Sequence, residues 1–319
     1  MRFAVLGAGG LGLVVAGYLA RAGNRVVVVG KPEQAVMLRK RGIEMVGPAN
    51  FQVPVDAASE PGQVGYADYL IVAVKTRDTM AALDRVAGVE FGAVLSLQNG
   101  MAKDEQLAER FGWAKVAGAA TILGATLLEP CRTHHTMSGA TYFGELDGSR
   151  SERVERLARA FTDAGMPAEI PTSILSAEWS KLVHFVPAAL LSATSRLEFY
   201  KLCKSRDLAE LFVTVVRECA AVARAAGVAI DDYEGFRVRT LAESPFEDAV
   251  RIMVQRGENM ERGGQTSTRI SMLQDVLRGR KTEIEETAGY VVRKAREYGV
   301  PVPYVEFGYR VVRAVESYF

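Results

Sequence analysis

One glycine-rich segment near the N-terminus constrains the fold of this chain most. It consists of Gly7, Ala8, Gly9, Gly10, Leu11 and Gly12. The apolar run Arg2–Gly7 in front of it is typical of a buried parallel strand, and Leu11–Ala22 behind it predicts a helix that ends at Gly23-Asn24. The four valines of Arg25–Val29 predict a second buried strand. Together these elements predict a βαβ unit of roughly 30 residues.

The glycine spacing G-x-G-x-x-G in this βαβ unit is typical of a dinucleotide-binding loop. In that arrangement Gly7 allows the tight turn, Gly9 lets the backbone approach a pyrophosphate, and Gly12 allows the helix to pack closely on the strand. The N-terminus of the helix adds unpaired N–H groups and a positive partial charge. A glycine turn without a ligand is the alternative interpretation. The strand before the motif and the helix after it favour dinucleotide binding by the whole segment Gly7–Gly12.

The end of the second predicted strand distinguishes between the two nicotinamide dinucleotides. An NAD site usually has Asp or Glu there, because a carboxylate binds the ribose 2′-OH. Here the strand ends in Val28-Val29-Gly30-Lys31-Pro32, and no carboxylate occurs at the tip. Lys31 is a cation at the position where a 2′-phosphate would lie, so we predict NADP(H). The alternative is that Lys31 is a solvated lysine of a turn.

The N-terminal segment also has an alternative interpretation as a membrane span. No charged residue occurs between Phe3 and Ala20, and an apolar stretch of that length can cross a bilayer or form the core of a signal peptide. Glycines crowd its middle, however, where they would weaken a spanning helix. We therefore expect a strand, a turn and a buried helix, and no membrane partner.

Charge and cysteine content argue against several other classes of protein. Lys and Arg total 39 against 38 Asp and Glu, a net charge of +1, which argues against a nucleic-acid partner. Cys131, Cys203 and Cys219 have no paired spacing, which predicts a reducing, cytoplasmic compartment and neither a disulfide framework nor a zinc site. The three histidines lack ligand companions at useful spacing, so we expect no metal.

A length of 319 residues suggests two domains. Strand-like and helix-like segments alternate up to Pro167–Pro171, whereas almost everything after it is helical in pattern. We therefore predict an α/β Rossmann-type N-terminal domain over residues 1–170 and an all-α C-terminal domain over residues 171–319.

Two local predictions concern a turn and a helix start. Thr133–Met137 and Thr141–Phe143 predict a hairpin, since a serine–glycine pair separates them. Thr282 and Glu285 have the spacing of a capping box, which predicts a helix over Thr282–Tyr298.

Six short motifs occur along the chain in a characteristic order. They are Gly7–Gly12, Val72-Ala73-Val74-Lys75, Gln98-Asn99-Gly100-Met101, Glu178-Trp179-Ser180-Lys181-Leu182, Ser271-Met272-Leu273-Gln274-Asp275 and Lys281-Thr282-Glu283-Ile284. Through them the chain resembles the ketopantoate reductase (2-dehydropantoate 2-reductase) family along nearly its whole length. The resemblance implies a Rossmann domain, a helical C-terminal domain and an active site in the cleft between them. There NADPH reduces a 2-keto acid to a 2-hydroxy acid, as in the conversion of ketopantoate to pantoate.

Lys181 is the strongest catalytic candidate. It lies in an otherwise apolar segment, beside Leu182 and Val183. Partial desolvation would make a lysine a better proton donor, and reduction of a ketone needs a proton for the developing alkoxide. The resemblance implies that Lys181 is the general acid. The alternative is a surface lysine whose aliphatic stem covers apolar side chains.

The resemblance also implies roles for four further residues. Lys75, after an apolar strand, would contact the cofactor or the substrate, and Asn99 would lie near the nicotinamide and the substrate. Ser271 and Glu283 would bind the substrate. Each residue also has a purely structural explanation: a loop lysine, an Asn-Gly turn, a helix N-cap and an acid in the first turn of a helix, respectively.

Three positions depart from the family pattern. Phe185 and Ala189 replace asparagines four and eight residues after Lys181, and Thr268 replaces an asparagine three residues before Ser271. Helical spacing puts Phe185 and Ala189 on the same face as Lys181, although Pro187 could kink that helix. We therefore expect Phe185 to contact the substrate. An apolar wall suggests a bulkier or more apolar 2-keto acid, aryl or branched, with ketopantoate a poor substrate or none.

Two other functions stay open on sequence grounds. One is a related two-domain hydroxy-acid dehydrogenase with another substrate. The other is a non-catalytic NADP-binding sensor, which would not need Lys181, Ser271 and Glu283 together. A homodimer through the helical domain is expected by analogy with similar architectures.

Overall fold

The structure is a computed structural model, and it describes residues 1–266 and 269–319. The chain forms two units. The first contains Met1–Gln98 and Ala102–Leu175, and the second contains Asn99–Met101 and Ser176–Phe319.

The first unit alternates strands and helices. Its strands are β1 (Arg2–Leu6), β2 (Arg25–Val29), β3 (Ile43–Val46), β4 (Phe51–Val53), β5 (Asp56–Ala58), β6 (Ala67–Val72), β7 (Phe91–Ser96), β8 (Ala117–Thr121), β9 (Gly124–Glu129), β10 (Arg132–Met137), β11 (Thr141–Glu145) and β12 (Ala168–Glu169). Its helices are α1 (Gly10–Arg21), α2 (Pro32–Arg41), α3 (Thr79–Leu83), α4 (Ala102–Phe111) and α5 (Glu152–Asp163).

The main sheet of the first unit is parallel and has the order β5-β2-β1-β6-β7. Leu6 pairs with Val29 on one side and with Val72 on the other, and Val72 pairs with Ser96. These four residues are the last of their strands, so the strands end in line. The loops that follow them therefore emerge at one edge of the sheet, where ligands bind in open α/β sheets.

Both faces of this sheet are buried, which explains the continuous apolar runs in the sequence. Phe3 and Val5 face one apolar cluster, which includes residues of α1 and α5. Ala4 and Leu6 face the other, which includes residues of α3 and α4. The Rossmann-type architecture predicted from the sequence is confirmed, and the uncharged N-terminal segment forms β1, the glycine loop and α1.

The predicted hairpin of Thr133–Met137 with Thr141–Phe143 is wrong, because β10 and β11 belong to different sheets. β10 pairs with β9 and β3, whereas β11 pairs with β8 and β12. A β-carbon on Gly139 would lie 2.6 Å from Cβ of Ile122, and the Ile122 N–H donates to the Ala140 carbonyl at 3.0 Å. These contacts direct the chain after β10 towards β8.

The second unit is mainly helical, as predicted. Its elements are α6 (Ile174–Ser195), α7 (Phe199–Lys204), α8 (Arg206–Ala225), β13 (Asp232–Tyr233), β14 (Phe236–Arg237), α9 (Val238–Glu243), α10 (Phe246–Arg262), α11 (Ser271–Leu277), α12 (Ala288–Tyr298) and α13 (Pro303–Glu316). The first two residues of α6 belong to the first unit.

Helix α6 alone, among the described helices, is long and apolar enough to span a bilayer by length and composition. In this protein 67% of its most apolar window is buried inside the chain. Such burial is what a core helix has, and core helices pass the same test of length and composition.

The predicted start of α12 at Thr282 is wrong, since the helix begins at Ala288. The hydroxyl of Thr282 accepts from the Ile284 N–H at 3.2 Å, which stabilises a turn. The same hydroxyl donates to Oε2 of Glu316, and Oε2 of Glu285 accepts from the hydroxyl of Tyr309, both at 2.8 Å. Helix α13 therefore engages both side chains of the expected capping box.

Candidate active site

Three glycines of the segment Gly7–Gly12 are required by packing within the protein. Gly7 has a φ of +122°, and a β-carbon there would lie 2.9 Å from the carbonyl group of Ala73. A β-carbon on Gly12 would lie 2.0 Å from the carbonyl oxygen of Gly7, and one on Gly10 would lie 2.9 Å from the backbone nitrogen of Leu127. The tight turn and the close helix–strand contact predicted for Gly7 and Gly12 are therefore present.

Gly9 is different, because nothing in the protein requires a glycine there. Its backbone is extended, with φ −86° and ψ −178°, and no heavy atom beyond its chain neighbours lies within 4 Å of an added β-carbon. Gly9 precedes α1, whose first turn contains no acidic residue. An open backbone at an uncompensated helix N-terminus fits the approach of a pyrophosphate, so the loop suits a dinucleotide.

At the tip of β2, the side chain of Gln34 lies beside Gly30. A β-carbon on Gly30 would lie 2.9 Å from Oε1 of Gln34 and 3.3 Å from Cβ of Ala8. The same Gln34 oxygen accepts from the Lys31 N–H at 2.9 Å. Lys31 is exposed and precedes α2. The sequence reasoning missed Gln34, whose only signal was its position three residues after Lys31.

Lys75 lies in the loop that touches the glycine segment. An added β-carbon on Gly7 would be 3.0 Å from Cγ1 of Val74, directly before Lys75. Lys75 is half-buried, and its carbonyl accepts from the Asp78 N–H at 2.8 Å, which begins a turn of 3-10 helix. The structure thus brings the Lys75 loop beside the predicted dinucleotide loop.

Asn99 and Glu283 lie on two segments of the second unit that pack on each other. Gly100, directly after Asn99, has a φ of +88°, and a β-carbon there would lie 2.3 Å from the carbonyl oxygen of Glu286. Glu286 belongs to the turn that begins at Glu283 and leads into α12. The hydroxyl of Thr287 donates to the Glu283 carbonyl at 2.7 Å and closes this turn.

Glu283 is 6% exposed and does not belong to a helix. The favourable interaction of an acid with the first turn of a helix therefore does not explain it. Carboxylates are almost never buried to this extent unless they are paired.

Lys181 is half-buried on α6, and its neighbours on that helix are firmly held. Two residues before it, Trp179 lies against Tyr290 of α12, with ring centroids 6.1 Å apart. Directly before it, the hydroxyl of Ser180 accepts from the Asp231 N–H at 2.8 Å. Through the Trp179 contact, the helix that carries Lys181 packs on the helix that follows Glu283.

His184, one turn after Lys181, packs in an aromatic cluster. Its ring centroid lies 5.6 to 5.8 Å from those of Phe199, Phe212 and Phe236. Burial, together with the nearby guanidinium of Arg256, holds the pKa of His184 well below its usual range. His184 is therefore neutral at pH 7 and adds no charge near Lys181.

Phe185, one of the predicted substrate residues, lies on α6 four residues after Lys181. Helix α6 continues through Pro187, so Ala189 as well as Phe185 lies on the same helix as Lys181. Phe185 is half-buried, whereas Ala189 is 1% exposed, so of these two positions Phe185 is the accessible one.

Ser271 is the first residue of α11, and Ile270 is its N-cap. The alternative explanation of this serine as the helix N-cap is therefore wrong. The departure at Thr268 lies outside the described residues.

A parallel sheet with an open glycine loop at its carboxyl edge defines a Rossmann-type dinucleotide-binding protein. Residues 3–148 match the family model described as ketopantoate reductase PanE/ApbA, and residues 173–316 match the model of its C-terminal part. The chain belongs to the ketopantoate reductase family. The resemblance noted in the sequence is thereby confirmed.

Curated relatives match over nearly the whole chain. The 2-dehydropantoate 2-reductase of Archaeoglobus fulgidus is 32% identical over 316 residues, which cover 99% of this chain and 98% of the relative. That of Pyrococcus horikoshii is 30% identical over 321 aligned positions, with the same coverage. Such relatives make this chain an oxidoreductase that acts on a CH–OH group with a nicotinamide cofactor.

Solved structures agree with this assignment. A PanE/ApbA family ketopantoate reductase from Ralstonia eutropha JMP134 has a TM-score of 0.83 and 28% identity, covering 100% of this chain and 99% of its own. D-mandelate dehydrogenase, in a complex with NADH and anilino(oxo)acetate, has a TM-score of 0.85 at 20% identity, with the same coverage. The second likeness shows the fold alone.

Proposed function

We propose that this chain catalyses the NADPH-dependent reduction of a 2-keto acid to a 2-hydroxy acid. One observation carries the proposal: within the second unit the Asn99 segment packs on the turn that bears Glu283, and the Lys181 helix packs on α12, which follows that turn. A proton donor, a carboxylate and an amide are the groups that binding and protonating a keto acid require. The chemistry supplied by the bound nicotinamide is reduction, that is, two electrons and a hydrogen for the keto carbon.

In this proposal the residues of the chain bind the substrate and move one proton. The ammonium of Lys181 faces the keto oxygen, stabilises the negative charge that develops on it and donates a proton to it. Lys181 then takes a proton back from solvent. Asn99, Ser271 and Glu283 bind polar groups of the substrate and hold the carbonyl in position.

The choice of NADPH rests on the tip of β2. Exposed Lys31 supplies a cation for a 2′-phosphate, and Gly30 and Lys31 follow β2 where an NAD site usually has a carboxylate. The fold alone does not select the cofactor, because the similar mandelate dehydrogenase holds NADH.

For the substrate we propose a 2-keto acid with an aryl or branched side chain, with ketopantoate as the alternative. Phe185 supports the apolar substrate, since a ring one turn from Lys181 replaces the amide that the family pattern has there. The names of the curated relatives support ketopantoate. A homodimer and a cytoplasmic location stay predictions, which sedimentation and cell fractionation would measure.

The decisive experiment measures NADPH oxidation with a panel of 2-keto acids: ketopantoate, 2-ketoisovalerate and phenylglyoxylate. Turnover with any of them supports a reductase, and the ranking of kcat/KM identifies the substrate class. A kcat/KM for ketopantoate typical of an efficient enzyme would refute the apolar substrate. Tight NADPH binding without turnover on the whole panel would favour the non-catalytic sensor instead.

A further inference from the structure

Gln98 is a buried side chain for which the proposed reaction has no use. It follows β7 and is 5% exposed. Its Nε2 donates to the Val74 carbonyl and to the hydroxyl of Thr79, both at 2.8 Å. Its Oε1 accepts from the hydroxyl of Ser96 at 2.7 Å. Both amide hydrogens and the amide oxygen are therefore engaged within the first unit.

The two donor bonds of this amide end on either side of Lys75, at Val74 and at Thr79, the first residue of α3. Val74 stands directly before Lys75, and the hydroxyl of Thr79 in turn donates to the Thr76 carbonyl at 2.8 Å, directly after Lys75. The Gln98 amide thus connects the two backbone positions that flank Lys75. On its other side it is held by Ser96, the last residue of β7.

The location of the loop gives these bonds a function. Val72 and Ser96 are paired at the carboxyl ends of neighbouring strands, where ligands of such sheets bind. The loop packs against the glycine segment, since a side chain on Gly7 would meet Ala73 and Val74. A shift of the loop would therefore alter the packing of the glycine segment. Bonds in a buried polar network hold such a loop in one conformation.

We propose that Gln98 is a positioning residue, which holds the Lys75 loop so that the ammonium of Lys75 meets the cofactor. The inference rests on the proposed function, in which Lys75 contacts the bound dinucleotide. Gln98 itself touches neither cofactor nor substrate. The network selects a glutamine because it needs two donors and one acceptor at one place, which a glutamate lacks.

The test is a double-mutant cycle with NADPH binding as the readout. We expect Gln98→Glu to remove both donor bonds at nearly unchanged volume and to raise the dissociation constant of NADPH about tenfold. Lys75→Ala should raise it at least as much. The double variant should then equal Lys75→Ala alone, because Gln98 acts through Lys75.

Gln52→Glu is the matched control. Nε2 of Gln52 donates to the Arg41 carbonyl at 2.7 Å, so the same substitution removes the same kind of bond elsewhere in the first unit. NADPH binding by this variant should equal that of the unmodified protein. Thr79→Val provides a second route if Gln98→Glu does not fold, and Thr79→Ser, which keeps the hydroxyl, should restore binding.

The outcomes separate the two proposals. If Lys75→Ala leaves NADPH binding unchanged, the role of Lys75 is wrong and the inference about Gln98 is wrong with it. If Lys75→Ala weakens binding but Gln98→Glu and Thr79→Val do not, only the inference about Gln98 is overturned. Additive effects in the double variant also overturn it, because they would show that Gln98 acts independently of Lys75.

Discussion

The α-carbon of Gly100 lies so close to Glu286 that a β-carbon there would be 2.3 Å from the Glu286 carbonyl oxygen. No real side chain tolerates such a distance, and the atom it meets is backbone. The left-handed φ of +88° adds strain for any residue other than glycine. The contact therefore fixes where Asn99 stands relative to the turn that begins at Glu283.

This contact predicts that Gly100→Ala loses activity. The added methyl group must push the Asn99 segment away from the turn, so we expect kcat/KM to fall about tenfold or more. Gly88→Ala is the control, because Gly88 has a φ of +72° but nothing within 4 Å of an added β-carbon. It carries the backbone strain of about 1–2 kcal/mol without the overlap. Equal kcat/KM in the two variants would contradict the role of the contact.

Gly9→Ala should weaken cofactor binding without loss of stability. The protein has room for this methyl group, and the extended backbone suits alanine. The dissociation constant of NADPH should rise at least tenfold, because the methyl occupies the space of the pyrophosphate. The melting temperature of the free protein should not fall. Gly62→Ala, at another open glycine, should change neither quantity. Normal NADPH binding by Gly9→Ala would place the dinucleotide elsewhere.

Lys31→Glu should shift the cofactor preference from NADPH towards NADH. A carboxylate at this position repels a 2′-phosphate, so the KM for NADPH should rise about tenfold while that for NADH changes little. Lys40→Glu makes the same charge change on an exposed lysine of α2, the helix that Lys31 precedes. A similar effect from both variants would indicate general electrostatics and would exclude a specific contact with Lys31.

Lys181→Ala should lower kcat by a factor on the order of 10² or more, the scale of general acid catalysis. Lys181→Arg keeps the positive charge, but arginine is a poor proton donor. Its kcat should therefore stay low, while its KM should be close to that of the unmodified enzyme. Lys201→Ala removes an exposed lysine of the same unit that pairs with Glu198 at 2.9 Å, and should act like the unmodified enzyme. Unchanged turnover in Lys181→Ala would remove this residue from the mechanism.

Phe185→Asn should change the substrate preference. It replaces the ring with the amide of the family pattern, so kcat/KM for ketopantoate should rise about tenfold relative to that for phenylglyoxylate. Phe307→Asn makes the same change on α13, where Phe307 is 69% exposed, and should leave the ratio as it is. An unaltered ratio in Phe185→Asn would mean that this ring does not contact the substrate.

The sequence predicted those elements whose determinants are local. The run Arg2–Leu6, the glycine turn and the valines of β2 lie close together along the chain, and β1, α1 and β2 formed as expected. The capping box predicted at Thr282 does not form, because the hydroxyl of Thr282 instead donates to Glu316 of α13. Local spacing carries no information about such a competitor.

The contacts of the candidate site were likewise not predictable from local spacing. Motif order identified Lys181, Asn99 and Glu283 as a set, but nothing in the sequence indicated that Gly100 packs on Glu286. The structural explanations for Glu283 and Ser271 depended on where two helices begin. The helix start expected at Thr282 was wrong because α13 engages both Thr282 and Glu285.

The membership of Asn99–Met101 in the second unit means that this unit is not one continuous stretch of chain. A fragment made from residues 176–319 would lack the strand-end tripeptide that rests on its Glu286 turn. The tripeptide is covalently part of a chain segment that folds with the parallel sheet. Completion of the helical unit is thus a long-range loop closure, and we expect it to come late in folding.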